Sequence, residues 1–269
     1  MSPWEELLDR PNAGGHFVQL YEADDTGLAK NVGQYLSAGL RRHEGMLLIA
    51  TRERQALFSR CLEYLGADLP PLLQSSLLVC RDADQTLTSC TAEGRPEWRL
   101  FEKAIYSAIR QVRRQGKVER VRVYSDMTSL LWGARQFAAA QRLEQLWNKL
   151  LEQLPISLFC SYSVDVFGSA CEVGTLEDAL CLHTHLIPAD SHGLLEPALH
   201  RSMDDILGAK ADEARAAIRD NYRGFRVVMP SAENIVLWLR KNLPAQAESI
   251  ISQARDHYSR KIRSADAAD

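Results

Sequence analysis

The chain has 269 residues, 46% of them hydrophobic, and a net charge of −3 at pH 7. That length holds one large domain or one domain with an appendage, with apolar residues enough for a sizeable core. The slight acidity argues against broad electrostatic binding to nucleic acid or to an anionic membrane. No apolar run approaches the roughly 18 residues of a membrane span. The N-terminal stretch MSPWEE lacks the basic region and apolar core of a signal peptide, so a cytoplasmic location is expected. The six cysteines (Cys61, Cys80, Cys90, Cys160, Cys171 and Cys181) are scattered without a CxxC pair and read as free, mostly buried thiols.

The first predicted strand covers residues 17–21, within HFVQLYE. A first strand that feeds a helix is where a nucleotide-binding α/β protein carries its phosphate loop. Here the connection, Glu22-Ala-Asp-Asp-Thr-Gly27-Leu28, has one glycine, two aspartates and no Lys-Ser/Thr ending. A phosphate cradle needs glycines for close backbone approach and a lysine for charge. The aspartates would repel phosphate. The chain therefore reads as a nucleotide-binding scaffold without the nucleotide chemistry, suited to sensing or recognition.

Residues 26–40 have helical spacing (Leu28, Val32, Tyr35, Leu36, Leu40). The run MLLIA at 46–50 suits a strand buried on both faces. A helix over 52–65 stops at Gly66, and a third strand follows at 77–80. Residues 82–95 have turn composition. A helix over 97–115 stops at Gly116, and a fourth strand covers 121–124. A long amphipathic helix over 135–154 ends at Pro155. A fifth strand at 157–162 and a short helix from 175 to about 185 complete the pattern. Such alternation predicts parallel strands joined by right-handed crossovers.

After Pro188 strands nearly vanish. Residues 194–222 are alanine-rich and helical, and 225–228 form a short extended candidate. Ser231 caps a helix to 243, and Pro244 starts another to about 262. Residues 264–269 are expected to fray. The predicted domains are an α/β unit over 1–190 and a helical extension over 191–269.

Several segments taken in order resemble the MEDS domain, a sensory domain named for methanogens, methylotrophs and the DcmR regulator. They are HFVQLYE at His16, MLLIAT at Met46, EGRPEWRLFE at Glu93, YSDMTSLLW at Tyr124, RLEQLWNKL at Arg142, SLFCSYSVD at Ser157 and LHTHLIPAD at Leu182. The resemblance spans about residues 12–190. It implies a RecA/KaiC-like parallel α/β fold without a phosphate loop, and a sensory role for small organic or hydrocarbon-like ligands. MEDS domains are often fused to histidine kinases or DNA-binding modules. Here there is only a helical tail, with no helix-turn-helix or kinase motif. Asp126 stands where the family motif is expected to carry glutamate, which changes the reach of any carboxylate contact but not its charge.

The candidate ligand-binding residues are Tyr21, Glu22, Tyr124, Asp126, Trp132, Glu144, Trp147, Asn148 and Tyr162. His16 and Tyr21, five apart, face opposite sides of the first strand. Tyr21 and Glu22 sit at its carboxyl end, where open α/β sheets bind ligands. His16 at the other end either contacts ligand or orders the N-terminal segment. Asp126 follows the fourth strand, where a carboxylate can fix a pocket, and Trp132 can give that pocket an apolar wall. Glu144, Trp147 and Asn148 share one helix face beside Leu143, Leu146, Leu150 and Leu151. They either tie the helix to a loop or turn Glu144 into the pocket.

Cys181, His183 and His185 alternate and invite a metal. On a helix only Cys181 and His185 align, so a four-ligand zinc site would need remote partners. A histidine near a helix C-terminus also suits the dipole, and His185 is kept as a structural or ligand residue. No metal site and no cofactor are expected, apart from an unidentified small organic ligand. The apolar faces at Ile235, Leu237, Trp238, Leu239, Ile250 and Ile251 should pack on the α/β unit or on a second copy. The basic run Arg255, Arg260, Lys261 and Arg263 reads as a solvated helix end.

The leading expectation is a cytosolic sensory protein without catalytic output, dimeric, which signals to a partner protein through its helical tail. One alternative is a degenerate nucleotide-binding protein or ATPase, against which the missing lysine loop weighs. The other is a ligand-free interaction scaffold, in which Trp132, Trp147 and Tyr124 themselves fill the pocket.

Overall fold

The computed structural model of the protein describes residues 3–21, 26–166, 168, 173–188, 192–221 and 228–265. Its first part runs α1 (Pro3–Asp9), β1 (His16–Tyr21), α2 (Thr26–Arg41), β2 (Gly45–Ala50), α3 (Arg52–Tyr64), α4 (Leu69–Gln74), β3 (Leu78–Asp82) and α5 (Ala83–Ser89). Then come the two-residue strands β4 (Thr91–Ala92) and β5 (Arg95–Pro96), α6 (Trp98–Gln115), β6 (Val121–Ser125), α7 (Met127–Gly133), α8 (Phe137–Leu151), β7 (Ile156–Ser163), α9 (Val173–Leu180) and β8 (His185–Ile187). The C-terminal part holds α10 (His192–Leu207), α11 (Ala211–Asn221), α12 (Ser231–Asn242) and α13 (Pro244–Ala265).

Six strands form one parallel sheet in the order β3-β2-β6-β7-β1-β8. The chain starts at β1, moves three positions along the sheet to β2, and later fills the two places between them with β6 and β7. The central strands are buried along their length, which explains the uninterrupted apolar run of β2, while β1 and β6 bury the polar Gln19 and Arg122 as well. Alternate residues feed two cores. Val18, Leu20, Leu47, Ile49 and Val123 face α5 to α9. Phe17, Tyr21, Met46, Leu48 and Tyr124 face α1 to α3. The α/β class and parallel sheet expected from the sequence are present, with helices on both faces.

Four local readings change. Residues 82–95 are not simply a turn. Asp82 accepts a hydrogen bond from the Gln85 amide and caps α5. Glu93 (φ 50°) and Gly94 (φ 76°) then form the two-residue connection of the β4–β5 hairpin. The helix expected over 135–154 begins at Phe137, because Arg135 (φ 57°) breaks it from α7. Residues 194–222 divide at Gly208 (φ 56°) through a short 3-10 turn at Gly208–Lys210. The helix expected to run to about 185 ends at Leu180. His185 opens strand β8 instead, so its reading as a helix C-terminal residue is overturned. The Thr184 hydroxyl explains the change: it donates to the His16 carbonyl and accepts from the His16 amide, locking this segment against β1.

Of the extended candidate at 225–228, only Val228 lies within the described residues, and it bridges to His185. The side chains of Arg260, Lys261 and Arg263 and residues 266–269 lie outside the description. The C-terminal helices share the core of the α5 to α9 face. Ile235, Leu237, Trp238, Leu239, Ile250 and Ile251 are buried in the same cluster as Leu176, Ala179 and Leu180. Arg240 donates to the Val166 carbonyl at 2.5 Å, and Lys241 pairs with Glu177 at 2.7 Å. Among the described residues no helix is long and apolar enough to cross a membrane.

Candidate functional site

Two buried polar groups lie on opposite faces of the sheet. The first gathers at the carboxyl ends of the strands, beside α3 and α7. Asp126, the residue after β6, is fully buried. Its Oδ1 accepts from the Tyr124 hydroxyl at 2.6 Å, from Arg54 at 2.7 Å and from Ser161 at 3.2 Å. Its Oδ2 has no hydrogen-bond partner among the described residues. The Arg54 guanidinium also lies 4.3 Å from the centre of the Tyr21 ring. The Tyr21 hydroxyl meets Ser129 at 2.8 Å. Burial alone would make the Arg54 charge less favourable, but Asp126 outweighs it and fixes the guanidinium as a cation. Burial and the neighbouring Asp126 push Tyr124 well above its ordinary range, so its hydroxyl stays protonated and donates. One arginine thus faces one carboxylate in this group.

The second group lies between the sheet and α8. Glu144 and Asn148, one turn apart, face the sheet together. Cys160 and Tyr162 alternate along β7 onto the same side. His16 comes from the start of β1, and His183 from the turn between α9 and β8. Glu144 lies 3.1 Å from His16 Nε2, accepts from the Tyr162 hydroxyl at 2.9 Å, and has the Cys160 sulfur at 3.6 Å. His183 Nε2 is 3.6 Å from the carboxylate, beyond hydrogen-bond reach, and has no hydrogen-bond partner among the described residues. Burial would raise the Glu144 carboxyl, but His183 and His16 hold it well below the usual carboxylate range. Burial, with His16 next to it, lowers His183, against the opposing pull of Glu144. Burial and Glu144 push the Cys160 thiol well up.

The backbone and amide partners fix both imidazole tautomers. Asn148 donates through Nδ2 to the Leu182 carbonyl at 2.8 Å. Its Oδ1 is therefore the atom that faces His16 Nδ1 at 2.9 Å, and that nitrogen must carry the proton. His183 Nδ1 donates to the Ala179 carbonyl at 3.0 Å. Both Nε2 atoms consequently turn toward the Glu144 carboxylate and the Cys160 sulfur.

The structure thus joins Tyr21, Tyr124 and Asp126 in one group and His16, Glu144, Asn148 and Tyr162 in the other. Trp132 does not reach a polar atom of either: its ring packs on Tyr162 and Phe137, each at 4.8 Å between centres. Trp147 turns to α6 and packs edge-on against Phe101 at 4.9 Å. His185 sits in neither group, half-buried against Phe17 and Thr184. Glu22 lies outside the described residues. Of Cys181, His183 and His185 only His183 enters a cluster. Sequence reasoning missed Arg54, Ser129, Ser161 and Cys160. The signal for Cys160 was its spacing of two from Tyr162 in the fifth strand. Arg54 gave none, since an arginine in the first turn of a helix ordinarily faces water.

A six-stranded parallel sheet flanked by helices on both faces places the chain among the α/β proteins. More specifically, residues 15–184 match the MEDS family, the methanogen/methylotroph, DcmR sensory domain. The match covers more than half of the chain, which therefore belongs to the MEDS family and to its sensory, signalling class. No curated protein matches the chain.

Proposed function

We propose that this protein detects a small, neutral, hydrogen-bond-donating organic molecule at the Asp126 group and passes its state to a signalling partner through α10 to α13, as a homodimer. The observation that carries this reading is Asp126 Oδ2, without a partner among the described residues and fully buried at the carboxyl end of β6. An unsatisfied buried carboxylate oxygen is costly, and a ligand hydroxyl or amide N–H would relieve it. Arg54 already balances the Asp126 charge, so a neutral donor fits better than a cation. The packed aromatic side chains nearby favour a small ligand. No catalytic step is part of this proposal. The nucleotide-binding alternative has only the fold in its favour, because the first connection has neither the glycines nor the lysine that phosphate demands.

The experiment is a thermal-shift series with short alcohols and amides on the wild type and on Asp126→Asn. A ligand that binds only the folded state stabilises it by RT ln(1 + L/Kd) at free ligand concentration L, so Tm rises with the logarithm of concentration once the ligand exceeds Kd. A stabilisation that Asp126→Asn abolishes supports the reading. A wild type indifferent to every donor rejects it. One observation favours the scaffold reading instead: Trp132, Trp147 and Tyr124 are all buried and packed against neighbouring rings. Partner capture unaffected by Asp126→Asn would favour that reading.

A further inference from the structure

We propose that His16, Glu144, Cys160 and His183 form a buried binding site for one divalent metal ion of the borderline-soft, zinc-like class. The site lies across the sheet from the Asp126 group and is independent of the ligand proposed there.

The donor atoms of the four residues lie within 4.8 Å of one another, and all four residues are buried. The resolved separations are 3.1 Å (His16 Nε2 to Glu144), 3.6 Å (Cys160 Sγ to Glu144), 3.6 Å (Cys160 Sγ to His16 Nε2) and 3.6 Å (His183 Nε2 to Glu144). Zinc bonds of about 2.0–2.3 Å in a tetrahedron place neighbouring donors about 3.3–3.8 Å apart. The separations among His16 Nε2, Glu144 Oε2 and Cys160 Sγ are at or near these spacings, and His183, 3.6 Å from the other carboxylate oxygen, lies within 4.8 Å of the rest and would close the cage by moving inward. Nitrogen, sulfur and carboxylate oxygen together are a zinc-like donor set rather than a magnesium or calcium one.

Electrostatics points the same way. Two imidazole Nε2 atoms, a carboxylate and a sulfur converge on one point, and a divalent ion there would take the place of the proton that His16 Nε2 shares with Glu144. His183 Nε2 in particular is a buried acceptor with no hydrogen-bond partner among the described residues. The outer contacts are those of metal-bound histidines, each of which commonly donates its other ring N–H to an oxygen. Asn148 Oδ1 does this for His16 and the Ala179 carbonyl does it for His183. Binding would form the metal–sulfur bond and release the Cys160 thiol proton to solvent. With Glu144 and the Cys160 thiolate each contributing one negative charge, a divalent ion leaves the buried site neutral.

Four protein donors close the coordination sphere, which marks a structural rather than a catalytic ion. The ion would pin β1, α8, β7 and the α9–β8 turn to one another. Because the site is fully enclosed, uptake should accompany folding.

The test is to refold the full chain with a chelator, and separately with Co²⁺ or Zn²⁺. The expected result is one ion per chain, a thiolate-to-cobalt charge-transfer band, and its loss on adding one equivalent of Zn²⁺. Cys160→Ser should remove that band and Cys181→Ser should keep it. Asn148→Ala leaves all four donors and should weaken zinc binding about 10–100-fold, as loss of an outer contact does. A folded wild type that takes up no stoichiometric Co²⁺ overturns the proposal and leaves a buried His16–Glu144 ion pair. A charge-transfer band that survives Cys160→Ser also overturns it. The wild-type spectrum alone decides the matter if a variant does not fold.

Discussion

At the residue scale, the most consequential side chain outside the two polar groups is Arg122. It sits in the central strand β6, fully buried, and pairs with Glu44 at 2.5 Å. It also donates to the carbonyls of Leu8, Tyr35 and Asp9 at 2.7–2.9 Å. One guanidinium thereby ties α1 and α2 to the amino end of the sheet. Arg122→Met removes the cation, takes a donor from three carbonyls and leaves Glu44 with only the half-exposed Arg120 at 3.4 Å. Breaking a buried pair in this way costs about 3–5 kcal/mol, which urea denaturation should register as a lower midpoint. In the sequence Arg122 looks like the polar member of an alternating strand, because its partners lie far away in the chain. Cysteine reactivity gives a second prediction. Burial pushes the Cys90 thiol up to about 11. At pH 8 it is protonated as well as enclosed, so iodoacetamide should modify the partly exposed Cys61 while Cys90 stays intact in the native protein. Equal labelling of the two would contradict the packing around α5.

At the element scale, α6 and the loop after it leave no room for a side chain at the start of β2. A methyl group on Gly45 would lie 2.2 Å from Val112 Cγ1 and 2.8 Å from Val118 Cγ2. Gly45→Ala must therefore shift α6 or the strand, and overpacking of this kind costs about 1–3 kcal/mol. Comparing melting curves of Gly45→Ala and Gly133→Ala checks it, since nothing lies within 4 Å of a methyl at Gly133. On α8, Trp147 is wholly buried against Phe101, so Trp147→Ala should lose about 3–5 kcal/mol, with a cavity left behind. The long strands and helices were legible because each shows one dominant apolar pattern. α7 was not, because five of its seven residues are buried and no polar face breaks the run. β8 was not either, since three residues are too few to show a period and its place depends on Thr184 meeting β1.

For the whole molecule, the question is how far the helical C-terminal part stands alone. Apolar residues of α12 and α13 lie in the same cluster as those of α8, α9 and β7. Arg240 and Lys241 add polar ties across the junction. Calorimetry on the full chain should therefore show one cooperative transition. A chain cut after residue 188 would expose the apolar surface around Leu176 and Leu186, and should aggregate or melt well below the parent. Two separated transitions, or a truncated chain as stable as the parent, would show that the two parts fold independently. The same shared core offers a physical route by which a change at α8 or α9 could reach the helical part.

The sequence by itself determined the alternating α/β class, most of the strands, the unsuitability of the first connection for phosphate, and the family resemblance. Those properties are local: they depend on periodicity, on caps and on short ordered motifs. It also singled out Tyr21, Tyr124, Asp126, Glu144, Asn148 and His16. Only the tertiary structure decided that they form two groups on opposite faces, and that Arg54, Cys160 and His183 complete them. Strand order is what brings residues 16, 144, 160 and 183 to one point. A parallel sheet in which β1 pairs with both β7 and β8 is a long-range arrangement, and no local pattern encodes which distant side chains will share its buried surface.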